Sequence, residues 1–80
     1  MDRFKAMQVF TRVVEAGSFT RAAETLEMPR ATVTTAIQQL EAHLGVRLLN
    51  RTTRRVAVTV DGGAYYERCL HLLEALADTE

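Results

Sequence analysis

Eighty residues make one small domain, near the size at which a single core is marginally stable. No apolar run approaches the ~20 residues of a membrane-crossing helix, the first residues lack a signal-peptide pattern, and one cysteine, Cys69, excludes an internal disulfide framework. The expected location is therefore cytoplasmic, with no membrane partner. The net charge is zero, yet residues 1–60 carry nine Lys/Arg against five Asp/Glu, and residues 61–80 carry one Arg against five acids. A polyanion would feel the basic part, because screening confines fields to about 8 Å at physiological salt.

The first helix is predicted over Arg3–Ala16, with Asp2 as N-cap and Phe4, Met7, Phe10, Val13 and Val14 as its apolar stripe. Gly17 stops it as a C′ residue. Ser18 caps a short second helix from about Phe19 to Leu26, with Phe19, Ala22, Ala23 and Leu26 inward. A third helix follows after two or three residues. Pro29 suits its first position, where no N–H is needed. Val33, Ile37, Leu40 and Leu44 form its core stripe and Gly45 closes it. A short helix tightly joined to a longer one is the helix-turn-helix pattern.

After Gly45 the period changes. Leu48 and Leu49 begin an extended run, and Val56, Val58 and Val60 alternate with Ala57 and Thr59 as in a half-buried strand. Between them lies "NRTTRR", Asn50–Arg55, so the pair reads as a hairpin with a basic tip, a wing. Thr59 can cap a fourth helix starting near Val60. Its apolar arc, from Tyr65 to Leu76, is wider than one contact face needs. One side is expected to pack on the domain and the other to meet a partner. The stripe Tyr66, Cys69, Leu73 and Leu76 is the expected dimerisation face. The chain runs out at "EALADTE" without a stop signal, as a fragment cut inside or just after a helix would. The expected fold class is mainly α: a winged helix-turn-helix over residues 1–60 and a linker, or dimerisation, helix over 61–80.

The third helix opens poorly for a helix. Thr32, Val33, Thr34 and Thr35 are β-branched, each disfavoured by up to ~0.7 kcal/mol relative to alanine. With the Val33 stripe inward, Ala31, Thr35, Gln38 and Ala42 point outward, Thr32 and Thr34 flank them, and Arg30 stands at the first turn. This face is small and almost uncharged, where a solvated face would favour Glu and Lys. A helix entering a ~12 Å major groove needs small residues for close approach, amides and hydroxyls for base edges, and methyls for thymine. In the wing, Arg51, Arg54 and Arg55 flank Thr52 and Thr53 with no acid nearby, which favours phosphate contact; arginine also suits a narrow minor groove.

"AGSFTRAAETLEMPRATVTTAIQQLEAHLGVRLLNRTTRRVAVTVDG", Ala16–Gly62, resembles the N-terminal domain of LysR-type transcriptional regulators. The matching elements are "GSF…AA…L", "V-T-x-x-I-x-x-LE-x-x-LG", "LL-x-R" and "VT-x-DG". The resemblance implies a DNA-binding homodimer paired through the linker helix on an inverted-repeat operator. It also implies a C-terminal effector-binding domain, absent from this chain, with which any higher assembly would form. By the resemblance, Arg30, Ala31, Thr34 and Thr35 would contact bases, with Arg54 in the adjacent minor groove, while Arg51 and Thr53 would meet phosphates. Gln38 joins the base-contacting set from its outward position. Ser18, Thr32 and Arg55 join the phosphate set. Three residues depart from the commonest family pattern: Pro29 replaces a capping Ser, Arg30 stands where Gln is frequent, and Thr35 where Arg is frequent. Arg30 is expected at a guanine or a phosphate.

No catalytic constellation, metal-ligand spacing or phosphate-binding glycine loop is visible, so neither enzymatic activity nor a cofactor or metal is expected. His43 and His71 read as surface residues, and Cys69 as a packed thiol. The alternative function is a winged-helix module for protein–protein association, which the zero net charge and broad apolar fourth helix would suit.

Overall fold

The structure, a computed structural model, describes residues 2–51 and 56–79, with Arg51 described in its backbone alone. In chain order the elements are α1 (Arg3–Ala16), α2 (Phe19–Leu26), α3 (Arg30–Leu44), β1 (Leu49–Arg51), β2 (Val56–Val58) and α4 (Val60–Thr79).

Local chemistry sets most of these boundaries. Asp2 accepts the Lys5 N–H at 2.8 Å to start α1, and Gly17 ends it with φ 66°. Ser18 Oγ accepts the Arg21 N–H at 3.2 Å to start α2. That helix ends without glycine: Glu27 takes the left-handed conformation, φ 56°, and the Met28 N–H returns to the Ala23 carbonyl at 3.0 Å. This closure is a Schellman-type turn, and half-buried Met28 packs back on the core. Pro29 lies one position earlier than expected, at the N-cap of α3 with extended ψ 143°, and provides no side-chain cap.

α1 is the central helix, touching α2, α3, α4 and β2. Its buried surface therefore wraps further round than a single stripe. Ala6, Val9, Phe10, Thr11 and Val13 are buried, Met7 and Val14 half-buried, and Phe4 in the first turn is exposed, contrary to expectation. Phe19, Ala22 and Ala23 of α2 and Val33, Ala36, Ile37 and Leu40 of α3 complete the helical core. Leu44 does not continue that stripe: it is exposed, because the last turn of α3 runs past the buried cluster.

β1 and β2 pair antiparallel, with Leu49 opposite Val58, Asn50 opposite Ala57 and Arg51 opposite Val56. Leu48 and Leu49 anchor the hairpin in the core. The alternation expected of Val56, Val58 and Val60 fails. Val56 is half-buried, Val58 is exposed, and Val60 is 92% exposed as the first residue of α4. Three residues per strand give too little hairpin to present a buried face that far.

Candidate nucleic-acid interface

α3 is held by α1 and α2 on its Val33–Ile37–Leu40 side, which leaves Arg30, Ala31, Thr35, Gln38, Gln39 and Ala42 exposed. Thr32 and Thr34 are half-buried flanks. Ala31, Thr32, Thr35, Ala36 and Gln39 line an open hollow of ≈ 270 Å³ on this face. Gln39 was missed at the sequence level: it is one position beyond the selected Gln38, is also exposed, and lines the hollow with Thr32 and Thr35. No acid occurs on α3 before Glu41.

The predicted contacts are only partly described. Ser18 is committed as the α2 cap through an oxygen lone pair, which leaves its O–H as a donor. Thr53, Arg54 and Arg55, with Thr52, lie outside the described residues, as does the side chain of Arg51.

The base of the hairpin is fastened on two sides. From α3, Glu41 Oε2 accepts the N–H groups of Leu48 and Leu49 at 2.8 and 3.2 Å. From the other side, the Thr59 N–H donates to the Leu48 carbonyl at 3.0 Å, and its hydroxyl donates to the Arg47 carbonyl at 2.6 Å. The same hydroxyl oxygen accepts the Gly62 N–H at 2.8 Å, as the α4 cap. α3, the hairpin and α4 therefore meet at one hydrogen-bonded corner. Sequence reasoning found the Thr59 cap but neither the Glu41 contact nor the tight approach at Gly62. The signals were available: a lone acid near a helix C-terminus, and a Gly-Gly pair inside a first turn.

On α4 the expected dimerisation stripe needs correction. Cys69 is 0% exposed within this chain, and half-buried Tyr66 packs its ring 6.5 Å from Phe10 while its hydroxyl donates to Glu15 at 3.3 Å. Tyr65 packs on the same Phe10 ring at 5.6 Å. These side chains face the domain because α4 lies against α1. Burial pushes the Cys69 thiol and the Tyr65 phenol above their ordinary values, consistent with a packed thiol. Half-buried Leu73 and exposed Leu76 line a groove of ≈ 520 Å³ between α4 and α1, while Leu72 is 49% exposed. Among the described residues no group of three His, Cys, Asp or Glu could hold a metal ion, and no helix is long and apolar enough to cross a membrane.

Residues 4–63 match the pattern of bacterial regulatory helix-turn-helix proteins of the lysR family. The chain belongs to the LysR family. Over all 80 residues this LysR chain is 52% identical to an HTH-type transcriptional repressor of Pseudomonas aeruginosa, of which it covers 25%. It spans about a quarter of the length of the curated relatives it matches. Among solved structures it is similar to the DNA-binding domain of CbnR in a DNA complex, with TM-score 0.92 and 35% identity over 99% of this chain and 90% of that one. The BenM DNA-binding domain on its catB site 1 DNA gives TM-score 0.93 and 34% identity over 99% and 87%. The LysR-type winged helix-turn-helix is thus present from α1 to α4.

Proposed function

We propose that this chain binds double-stranded DNA sequence-specifically as a homodimer and regulates transcription in the cytoplasm, acting by binding rather than catalysis. The observation that carries the reading is the exposed face of α3. Its residues are small, carry hydroxyls and amides, and hold a single cation at the N-terminal end, Arg30. Pro29 offers no side-chain cap to the first turn, so the N–H groups there suit a phosphate. The solved relatives in DNA complexes support the same reading. Arg30, Ala31, Thr34, Thr35 and Gln38 would read bases in the major groove, and Arg54 would enter the minor groove. Ser18, Thr32, Arg51, Thr53 and Arg55 would meet phosphates. Two such units should address an inverted repeat in successive major grooves. The effector-binding domain would lie outside this chain. The protein-association alternative is not favoured, since no feature of the α3 face calls for it.

Selection of bound sequences from a random duplex pool tests specificity, symmetry and spacing together. On the selected site, Arg54→Ala should weaken binding to many sequences alike and reduce the salt slope by about one. Thr34→Ala or Thr35→Ala should relax preference at one or two positions, each worth ~1–3 kcal/mol. Equal affinity for the selected and random duplexes at fixed salt would refute sequence-specific binding.

The partner-facing surface of α4 is assigned to Leu72 and Leu76, its exposed large apolar residues after Val60. Leu72→Glu with Leu76→Glu should give monomers by sedimentation while the far-ultraviolet dichroism stays helical. A dimer that survives both changes would move the interface elsewhere.

A further inference from the structure

We propose that Glu41 is the positioning residue of the wing: its carboxylate, on the recognition helix, fixes the base of β1 so that the hairpin meets the duplex at a set offset from α3. The proposal rests on the DNA-binding reading above.

Two successive backbone N–H groups, of Leu48 and Leu49, converge on the single oxygen Glu41 Oε2. Bonds to an ionised acceptor are stronger than neutral ones. A pair of them also defines a direction, where one would leave the strand free to swivel. The leucine side chains are buried, so without Glu41 their part-buried amides would lack this acceptor, which is costly. Placement points the same way. Glu41 is the sole acid of α3 and lies in its last turns, where a negative charge opposes the helix dipole. Contact with the hairpin, not helix stability, accounts for it there. Thr59 holds the far side of the same segment, so Glu41 supplies the link specific to α3.

Electrostatics alone makes the opposite forecast, which gives the test its discrimination. Removing an acid should tighten binding to a polyanion; removing a positioning residue should weaken it. The experiment is a double-mutant cycle by fluorescence anisotropy on the full 80-residue chain, using the selected duplex over a range of salt. Its axes are Glu41→Ala and the combined Arg51→Ala, Arg54→Ala and Arg55→Ala. Glu41→Ala should weaken binding about tenfold and lower the salt slope by about one. It should have little further effect once the wing arginines are gone, as coupled sites do. Glu41→Gln keeps an acceptor oxygen without the charge and should restore most of the affinity.

Tighter binding by Glu41→Ala, or equal weakening with and without the wing arginines, would overturn the proposal. Should Glu41→Ala fail to fold, Glu41→Met, which keeps the side chain's length and helix propensity without an acceptor oxygen, runs through the same cycle: a loss confined to the wing-intact chain supports the proposal, and an additive loss overturns it. If the unsubstituted chain binds no duplex, the DNA-binding reading fails by itself. Amide exchange then decides the positioning role: faster exchange at Leu48 and Leu49 in Glu41→Met supports it, and unchanged protection refutes it.

Discussion

Phe10→Ala should cost the chain a large share of its stability. The ring is 0% exposed and packs against both Tyr65 and Tyr66, so it joins α1 to α4 as well as filling the core. Truncating a buried phenylalanine costs about 3–5 kcal/mol through lost transfer energy and the cavity left behind. At ~0.05–0.15 kcal/mol per residue, a chain of this length has about 4–12 kcal/mol in total. The melting temperature should fall by about 12 °C or more, and near-ultraviolet dichroism should lose its tyrosine signal. A loss of less than ~1 kcal/mol in a denaturant titration would mean that α4 is not seated on α1 as described.

Gly62→Ala should destabilise by about 2 kcal/mol although it replaces a helical glycine, a change that alone should gain up to ~1 kcal/mol. The added Cβ would land on the Leu48 carbonyl oxygen and 2.8 Å from Val58 Cγ1. That carbonyl cannot move freely, because it accepts the Thr59 N–H and belongs to a buried residue. Its neighbour provides the control. Nothing lies within 4 Å of a Cβ built on Gly63, so Gly63→Ala should be neutral or stabilising, by up to ~1 kcal/mol. Parallel chemical denaturation of the two variants checks this; changes of the same sign would show that helix propensity, not the approach to Leu48, governs the site.

What was legible beforehand follows from how local each determinant is. The Asp2, Ser18 and Thr59 caps and the Gly17 and Gly45 stops act within a few residues, so they could be read directly. The outward face of α3 followed from the phase of Val33, Ile37 and Leu40. α1 was misread at Phe4 because a stripe presumes one neighbour, whereas α1 has several. Cys69 and Tyr66 were placed on a partner surface because the width of an apolar arc does not say which side meets the domain. Glu41 and Gly62 act across seven and fourteen residues, on Leu48. Contacts at that range leave only indirect traces: an acid at the wrong helix end and a glycine in a first turn.

The corner at Arg47–Leu49 also bears on which operators a dimer could tolerate. Glu41, Thr59 and Gly62 tie α3, the hairpin and α4 together, so if α4 pairs and α3 reads the groove, as proposed, the two are joined without a long linker. Each base pair added between half-sites turns one of them by about a tenth of a helical turn relative to the other. A subunit fastened in this way cannot swivel to follow. The strain of a misspaced operator would fall on the DNA or on the contact between the two α4 helices, and spacing would be selected as strictly as sequence.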